Sequence, residues 1–383
     1  MFNPVYTLYN IKSIDLIQSV TASLVSVSVL LTSSHQPHNK RDLDKEESNM
    51  ATMKDVAQLA GVSTATVSRA LMNPEKVSAS TRKKVEQAVM EAGYSPNSLA
   101  RNLRRNESKT IVTIVPDICD PYFTEIIRGI EEAAMEYGYL VLLGDSGQQK
   151  KRENSFVNLV FTKQADGMLL LGTDLPFDVS KPEQKNLPPL VMACEYAPEL
   201  ELPTIHIDNL TAAFEAVNYL TQMGHKRIAQ ITGPDQAPLS QFRNQGYQQA
   251  LRRGGITLNP AYTVKGDFSF AAGARAVTAL LSLPEPPTAL FCHSDVMAIG
   301  AMQQAKRLGL RVPQDISIVG FDDIQFAEYC DPPLTTVSQP RYEIGRQAML
   351  MLLELLKGKE VQAGSRLLDA KLVIRESAAP PSR

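Results

Sequence analysis

The chain has 383 residues, of which 44% are hydrophobic and 21% charged, and its formal net charge is −2. This length allows two or three globular domains with cores that need neither disulfides nor metals. The four cysteines lie far apart without paired ligand spacing, which argues against a zinc site, a disulfide framework or a redox pair. A reducing cytoplasm fits this cysteine usage best.

The first 49 residues are predicted to lie outside the folded protein. Their apolar stretch at 16–31 (LIQSVTASLVSVSVLL) contains five Ser or Thr and is shorter than the about 20 residues needed to span a bilayer. A charged run at 40–47 follows without a clear small-residue cleavage site. We expect either a disordered extension or a start codon placed too far upstream, in which case translation would begin at Met50. A membrane anchor is the alternative.

Positive charge is concentrated in one small N-terminal module. Residues 50–110 hold ten Lys or Arg against five Asp or Glu, although the whole chain is slightly acidic. A basic module inside a neutral average is typical of a nucleic-acid-binding protein.

Two short helices are predicted in this module. Thr52 is placed to cap a helix over 53–60 that ends at Gly61, and Ser63 is placed to cap a second helix over 64–71. Two helices joined by about three residues, the second polar on its outer face, form the geometry that places a recognition helix in the major groove. The pattern therefore predicts a helix-turn-helix.

A third helix is predicted from a Ser78 cap through residue 92, with Gly93 ending it. Its basic residues 82–84 would lie near backbone phosphates. The next segment, 96–109, has moderate helix propensity and could fold only on binding, as a hinge.

From residue 110 onward, short apolar runs alternate with amphipathic stretches, which predicts two similar lobes built on parallel, doubly wound sheets. Ligands of such folds bind where the strands end, so a cleft between the lobes is expected. The predicted strands are 110–116, 139–144, 167–172, 189–194, 204–207, 227–232, 288–292 and 316–320, and the predicted helices are 122–137, 152–162, 210–223 and 241–253.

The run MKDVAQLAGVSTATVSRALMNPEKVSASTRKKVEQAVMEAGYSPNSLARNLR resembles the DNA-binding headpiece of the lactose-repressor family. The large domain resembles the periplasmic-binding-protein-like core of the same family, in GHKRIAQITGP at 224–234, PPTALFCHSDVMAIGAMQQAKRLGLRVPQDISIVGFDD at 286–323 and DPPLTTVSQP at 331–340. Further motifs are similar to the cytidine-responsive members of its purine-repressor branch: PDICDPYF at 116–123, MLLLG at 168–172, HIDNLTAAFEAVNYL at 206–220 and CDPPLTT at 330–336.

The resemblance assigns DNA-contacting roles to residues of the headpiece and hinge. It implies that Thr64, Ala65 and Arg69 read base edges, with Arg69 forming a bidentate contact to guanine. It also implies that Leu103 enters the minor groove as a wedge beside Arg104. Contacts to phosphates, which position the protein without reading sequence, are implied for Ser63, Thr66, Ser68 and Asn73.

Ligand-binding roles follow from the same resemblance. A carboxylate, a guanidinium and aromatic rings suit a planar, hydroxyl-bearing nucleoside such as cytidine. Asp295 also stands where it could cap the following helix. Cys194 and Glu195 occupy ligand-contacting positions of the purine-binding relative, and their identity puts a purine base in doubt. The implied ligand residues are Asp295, Arg243, Phe268, Asp120, Tyr122, Phe123, Cys194 and Glu195.

The resemblance also implies a domain layout. The extension at 1–49 precedes a headpiece at 50–95, a hinge helix at 96–109 and a ligand-binding and dimerisation domain at 110–383. Lobe one would comprise 111–208 plus 321–339, and lobe two 209–320 plus 340–383.

The implied mechanism is that of a cytoplasmic homodimer on a palindromic DNA operator, without cofactor or membrane. Closure of the cleft on a nucleoside would change the distance between the two hinges. The cytidine-responsive resemblance implies repression relieved by a pyrimidine nucleoside, alongside the cyclic-AMP receptor protein.

The sequence also bears on two other classes of function, an enzyme and a solute-binding protein. The run Gly144-Asp145-Ser146-Gly147 resembles a protease nucleophile motif but follows a parallel strand, and no glycine-rich phosphate loop or metal-ligand spacing appears, so an enzyme is not expected. A solute-binding protein for transport or chemoreception is the alternative, and the basic headpiece argues against it.

Overall fold

The computed structural model describes residues 51–94, 107–147, 149–172, 187–196, 202–361 and 364–382. The chain divides into two compact units, the first ending at Asn97 and the second beginning at Ser98. The extension at 1–49, Leu103 and Arg104 lie outside the described residues, and their roles stay predictions. In the described ranges, no helix has both the length and the apolar character that crossing a membrane requires.

The first unit is a small helical module. It contains α1 (Met53–Ala60), α2 (Thr64–Met72) and α3 (Ala79–Ala92), with a 3-10 turn at Pro74–Lys76. The helices pack around three valines with no exposed surface, Val56, Val67 and Val85, one from each helix. These valines fall on the faces that the periodicity predicts to be internal.

Local sequence signals set the ends of these helices. Thr52, Ser63 and Ser78 each accept a hydrogen bond from a backbone amide of the first turn that follows. Gly61 and Gly93 end α1 and α3 with φ of 65° and 60°, a left-handed conformation that a side chain would disfavour. The predicted caps are therefore confirmed.

Six parallel strands form the sheet of lobe one, which is packed on its faces by α4 (Phe123–Glu136), α5 (Lys150–Phe161) and α11 (Arg341–Leu356). The strand order is β11-β5-β4-β3-β1-β2, so β2 lies at an edge. The strands are β1 (Thr110–Val115), β2 (Leu140–Asp145), β3 (Gly167–Leu170), β4 (Leu190–Ala193), β5 (Thr204–Ile207) and β11 (Ser365–Leu368).

The sheet of lobe two repeats this pattern in the order β12-β10-β9-β8-β6-β7, and only β12 runs antiparallel to its neighbour. Its strands are β6 (Ile228–Thr232), β7 (Thr263–Lys265), β8 (Ala289–Cys292), β9 (Ser317–Asp322), β10 (Thr335–Ser338) and β12 (Lys371–Val373). Its helices are α6 (Asn209–Gln222), α7 (Pro238–Arg253), α8 (Phe270–Leu281), α9 (Asp295–Arg307) and the short α10 (Gln325–Glu328). The predicted fold class, two lobes with parallel doubly wound sheets, is confirmed.

The predicted division of residues 321–383 between the lobes is wrong. Residues 321–339 belong to lobe two, because β10 pairs with β9 in parallel, Thr335 opposite Val319. The following helix, α11, packs on α4 of lobe one, and β11 pairs with β5 there. In the described residues the chain thus passes between the sheets after β5, after β10 and after β11.

Two glycines allow α4 and α11 to approach closely. A Cβ at Gly129 would overlap the backbone carbonyl of Tyr342, and one at Gly345 would overlap that of Ile126. The late helix α11 is thereby held against the first lobe by backbone-to-backbone packing.

Gly345→Ala is expected to destabilise the protein by roughly 1–3 kcal/mol, because the added methyl group forces the two helices apart. Urea unfolding would measure the change. Glu131→Ala on the exposed face of α4 is the matched control and should have little effect. Equal stability of the two variants would contradict the close approach.

Candidate nucleic-acid interface and ligand cavity

The recognition-helix candidate α2 has distinct inner and outer faces. Val67 and Ala70 are buried in the module, whereas Thr64, Ala65 and Arg69 are exposed. The three residues expected to read bases thus lie on the solvent side of one short helix. Their reading roles stay predictions.

The residues expected to hold phosphates lie near both ends of the same helix. Ser63 Oγ accepts the backbone amide of Thr66 at 3.2 Å and lies 2.9 Å from its hydroxyl, so both groups sit at the helix N-terminus. Backbone amides at a helix N-terminus attract phosphate. At the other end, Ser68 donates to the Met72 sulfur, and Asn73 is the half-buried C-terminal cap.

A cavity of about 590 Å³ lies between the two lobes of the second unit. Its walls come from the loops that follow the strands of both sheets, the expected place for a ligand in such folds. The volume falls within the range of sites for small organic ligands. Seven predicted residues line it: Asp120, Tyr122, Phe123, Cys194, Glu195, Arg243 and Phe268.

The Arg243 guanidinium is buried and held on several sides. Its Nε donates to the Asn209 side-chain oxygen at 2.8 Å, and its Nη1 donates to the His293 carbonyl. Nη1 also lies 3.7 Å from an Asp322 carboxylate oxygen, and the guanidinium carbon stands 3.7 Å from the Phe321 ring centroid. Arg243 therefore presents a fixed positive charge at the cavity wall.

Asp322 at the end of β9 is the carboxylate beside this arginine. Burial raises the pKa of Asp322 to about 7; the Arg243 charge opposes the rise, and the Asp120 charge adds to it. The Gln339 side-chain amide donates to Asp322 at 2.8 Å, and Tyr122 Oη donates to the Gln339 oxygen at 3.1 Å. A hydrogen-bonded chain thus joins lobe one to the carboxylate of lobe two.

Asp295 does not line the cavity. Its carboxylate is completely buried behind the wall, where it accepts the Ile324 amide at 2.9 Å and the Thr336 hydroxyl at 2.5 Å. The prediction of Asp295 as the cleft carboxylate is therefore corrected in favour of Asp322. The resemblance singled out Asp295, whereas the first aspartate of GFDD, Asp322, ends β9 and lines the cavity.

Aromatic rings reach the cavity from both lobes. Tyr122 and Phe123 pack edge to face with centroids 5.0 Å apart, and Phe123 is largely part of the lobe-one core. Phe268 has a left-handed φ of 66°, and its ring packs where a Cβ at Gly233 would stand. The glycine is thus needed for the position of the Phe268 ring.

Cys194 and Glu195 follow β4 and line the lobe-one wall. Burial raises the pKa of the Cys194 thiol to about 12, so the thiol stays neutral at physiological pH. Glu195 is 6% exposed, and its carboxylate accepts the Leu239 backbone amide of lobe two at 3.3 Å. The two lobes are therefore in direct polar contact across the cavity.

Comparisons with known proteins bear on both sites. The model of "Bacterial regulatory proteins, lacI family" matches residues 52–97, and that of a periplasmic binding protein-like domain matches residues 217–378. The HTH-type transcriptional repressor CytR of Escherichia coli (strain K12) is 63% identical over 333 residues, 87% of this chain and 98% of that protein. The chain belongs to the lacI family of bacterial regulatory proteins.

Two further proteins that this chain resembles are also repressors. The HTH-type transcriptional repressor PurR of Vibrio vulnificus is 35% identical over 331 residues, 86% of this chain and 98% of that protein. The solved lac repressor dimer bound to operator and the anti-inducer ONPF matches with a TM-score of 0.78 at 29% identity, covering 86% of this chain and 99% of that chain. The predicted family and the predicted DNA-binding repressor function are confirmed.

The raised pKa of Asp322 predicts how stability depends on pH in this lacI-family protein. Between about pH 4 and pH 7 the folded state keeps a proton that the unfolded chain has lost, so Asp322 lowers stability progressively as the pH rises. Asp322→Asn removes this titration. We expect the melting temperature of Asp322→Asn minus that of wild type to be larger at pH 8 than at pH 5. Thermal unfolding at the two pH values measures this difference.

Asp315→Asn is the control for this experiment. Its pairing with Arg311 lowers the pKa of Asp315 to about 2, so its contribution is already complete at pH 5 and should not change up to pH 8. If the melting temperatures of wild type and Asp322→Asn changed equally with pH, the raised pKa of Asp322 would be contradicted.

Proposed function

We propose that this lacI-family repressor acts as a cytoplasmic homodimer on a palindromic operator and responds to a nucleoside. The observation that carries the ligand class is the interlobe cavity, where aromatic rings of Tyr122 and Phe268 stand near Arg243 and Asp322. Rings stack on a planar base, and a carboxylate with a guanidinium binds hydroxyl and amino groups. Cytidine is the nucleoside we infer.

Calorimetry of the full chain with cytidine, adenosine, hypoxanthine and ribose tests the ligand class. Binding of cytidine is expected, with ribose weaker because it has no base to stack. Binding of ribose alone would replace the nucleoside with a sugar. Binding of none of the four would contradict the proposed ligand class.

For DNA recognition, we propose that Arg69 reads a guanine while Thr64 and Ala65 meet neighbouring bases. The support is the exposed outer face of α2 together with the basic charge of residues 50–110. Leu103 as a minor-groove wedge and Arg104 beside it belong to the same proposal. A solute-binding protein would have no use for this module.

Arg69→Ala is expected to weaken operator binding by about 1–3 kcal/mol and to relax the preference at one base position, because a bidentate contact to guanine is lost. Binding to the operator and to single-base variants measures both effects. Arg252→Ala, at an exposed arginine of the second unit, should leave them unchanged. Retained discrimination at every position would refute the recognition role of Arg69.

The edge strand β2 supports the dimer. Among the described strands β2 pairs only with β1, and Leu140 is 73% and Leu142 43% exposed on it. Met135 and Tyr137 add 72% and 45% exposed apolar side chains just before it. An exposed apolar sheet edge is usually covered by a partner. We infer that a second copy covers it, as the operator-bound lac repressor is a dimer.

Leu140→Glu should shift the protein towards monomers and weaken operator binding, since a charge would be buried in the interface. Analytical ultracentrifugation and operator titration measure the two effects. Leu258→Glu places the same charge at another exposed leucine of the chain and should change neither. A stable Leu140→Glu dimer would exclude this edge as the interface.

For signalling, we propose that nucleoside binding changes lobe closure and with it the separation of the two hinge segments. The coupling between ligand and operator would be about 1–3 kcal/mol, typical of allosteric proteins. The resemblance to cytidine-responsive members adds relief of repression by the nucleoside and the cyclic-AMP receptor protein as a partner on the same promoters.

A further inference from the structure

The chain enters lobe one at residues 107–109, directly before β1. This entry lies at the end of the sheet opposite the cavity, because the cavity walls come from the loops that follow the strands. Residues 95–106, which join the entry to the headpiece in sequence, lie outside the described residues. Any mechanical connection along the chain between the headpiece and lobe one therefore passes through the entry.

One carboxylate binds two consecutive residues of the entry. Asp166 Oδ1 accepts the Ser108 backbone amide at 2.6 Å and the Ser108 hydroxyl at 3.0 Å, and Oδ2 accepts the Lys109 backbone amide at 2.9 Å. Hydrogen bonds to an ionised carboxylate are stronger than those between neutral groups. The two-oxygen contact therefore restrains the backbone of Ser108 and Lys109 relative to Asp166.

Asp166 is itself fixed to the sheet of lobe one. It directly precedes β3, which pairs in parallel with β1 so that Gly167 stands opposite Ile111. Its backbone amide donates to the Thr110 carbonyl at 2.8 Å, and its side chain is half-buried. The carboxylate therefore moves with the sheet.

Lys109 holds a specific and uncommon backbone conformation. Its φ is 55°, in the left-handed region that residues other than glycine seldom adopt. Its carbonyl accepts the Leu140 amide of β2 at 2.9 Å, and its ammonium group lies 3.3 Å from the Tyr139 hydroxyl and 3.2 Å from a Glu107 carboxylate oxygen. Such a conformation persists only where its surroundings hold it. Here the entry is held on two sides, by Asp166 before β3 and by Leu140 of β2.

We propose that Asp166 is a positioning residue for operator binding. Its carboxylate fixes the point and the direction in which the chain to the headpiece leaves lobe one. A movement of lobe one then reaches the headpiece instead of being absorbed by backbone rotation at Ser108 and Lys109. This regulatory part of the inference rests on the proposed nucleoside response.

Asp166→Asn should weaken operator binding about 10-fold. Asparagine replaces one carboxylate oxygen with an amino group that cannot accept an amide, so Ser108 or Lys109 regains backbone freedom that DNA binding must then remove. Charge alone predicts the opposite sign, because the loss of a negative charge favours binding to phosphates. Without DNA, the variant should bind cytidine with wild-type affinity, since Asp166 is not among the described residues that line the cavity.

The experiment titrates the full chain with the DNA site that the wild-type protein selects from a random library, without cytidine and with saturating cytidine. In Asp166→Asn the ratio of these two affinities should move towards one. Asp369→Asn removes the same charge at an exposed aspartate just after β11 of the same lobe. This matched control should not weaken DNA binding. Calorimetry with cytidine and circular dichroism check the cavity and the fold of each variant.

Operator affinity of Asp166→Asn equal to or above that of wild type would overturn the positioning role. Loss of operator and cytidine binding together would also overturn it, because lobe one would then be damaged as a whole. An unchanged affinity ratio in Asp166→Asn would overturn the transmission of lobe movement through this contact.

The proposed nucleoside response can fail separately. If cytidine leaves the operator affinity of the wild-type protein unchanged, that response is refuted, and the comparison without cytidine still decides the role of Asp166. If Asp166→Asn does not fold, Ser108→Ala removes one of the three donors and should weaken operator binding about threefold. Wild-type operator affinity of Ser108→Ala would then count against the role of Asp166.

Discussion

The buried guanidinium of Arg243 is the interaction on which the second unit depends. A charge without solvent must be paired, and here the partners are the Asn209 side chain, the His293 carbonyl and, at 3.7 Å, Asp322. Asn209 begins α6 directly after the chain leaves lobe one, His293 directly follows β8, and Asp322 ends β9. Strand ends, a lobe crossing and the cavity wall are thus organised around one positive charge, and a ligand that contacts it would act on all three.

The second consequence concerns how the lobes are joined. Gln339 lies directly after β10, just before the chain returns to lobe one, and it bridges Tyr122 of lobe one and Asp322 of lobe two. Glu195 makes a further contact from lobe one to the Leu239 amide of lobe two. Polar contacts of this kind are exchangeable, because a ligand can supply the same donors and acceptors. Ligand binding in the cavity and the relative position of the two lobes can therefore influence each other.

Asp295 shows that a resemblance in sequence does not by itself decide where a side chain points. Asp295 begins the helix after the buried strand β8, Asp322 ends the buried strand β9, and both belong to motifs that resemble the lacI family. Asp295 is turned into the protein, where it supports the backbone at Ile324, two residues after Asp322. Periodicity places a residue at the end of a strand, but whether its carboxylate faces a cavity or a neighbouring loop depends on packing between distant segments.

By itself, the sequence determined what depends on nearby residues. The caps at Thr52, Ser63 and Ser78, the alternation of strands and helices, and the basic headpiece follow from local hydrogen bonding, side-chain period and charge. Only the tertiary structure decided the return of α11 to lobe one, the partners of Arg243 and the place of Asp322 at the cavity wall. These features depend on contacts between segments far apart in the chain, such as β10 beside β9 and Gly345 against Ile126. No local signal encodes them, because their free energy is gained only when the distant surfaces meet.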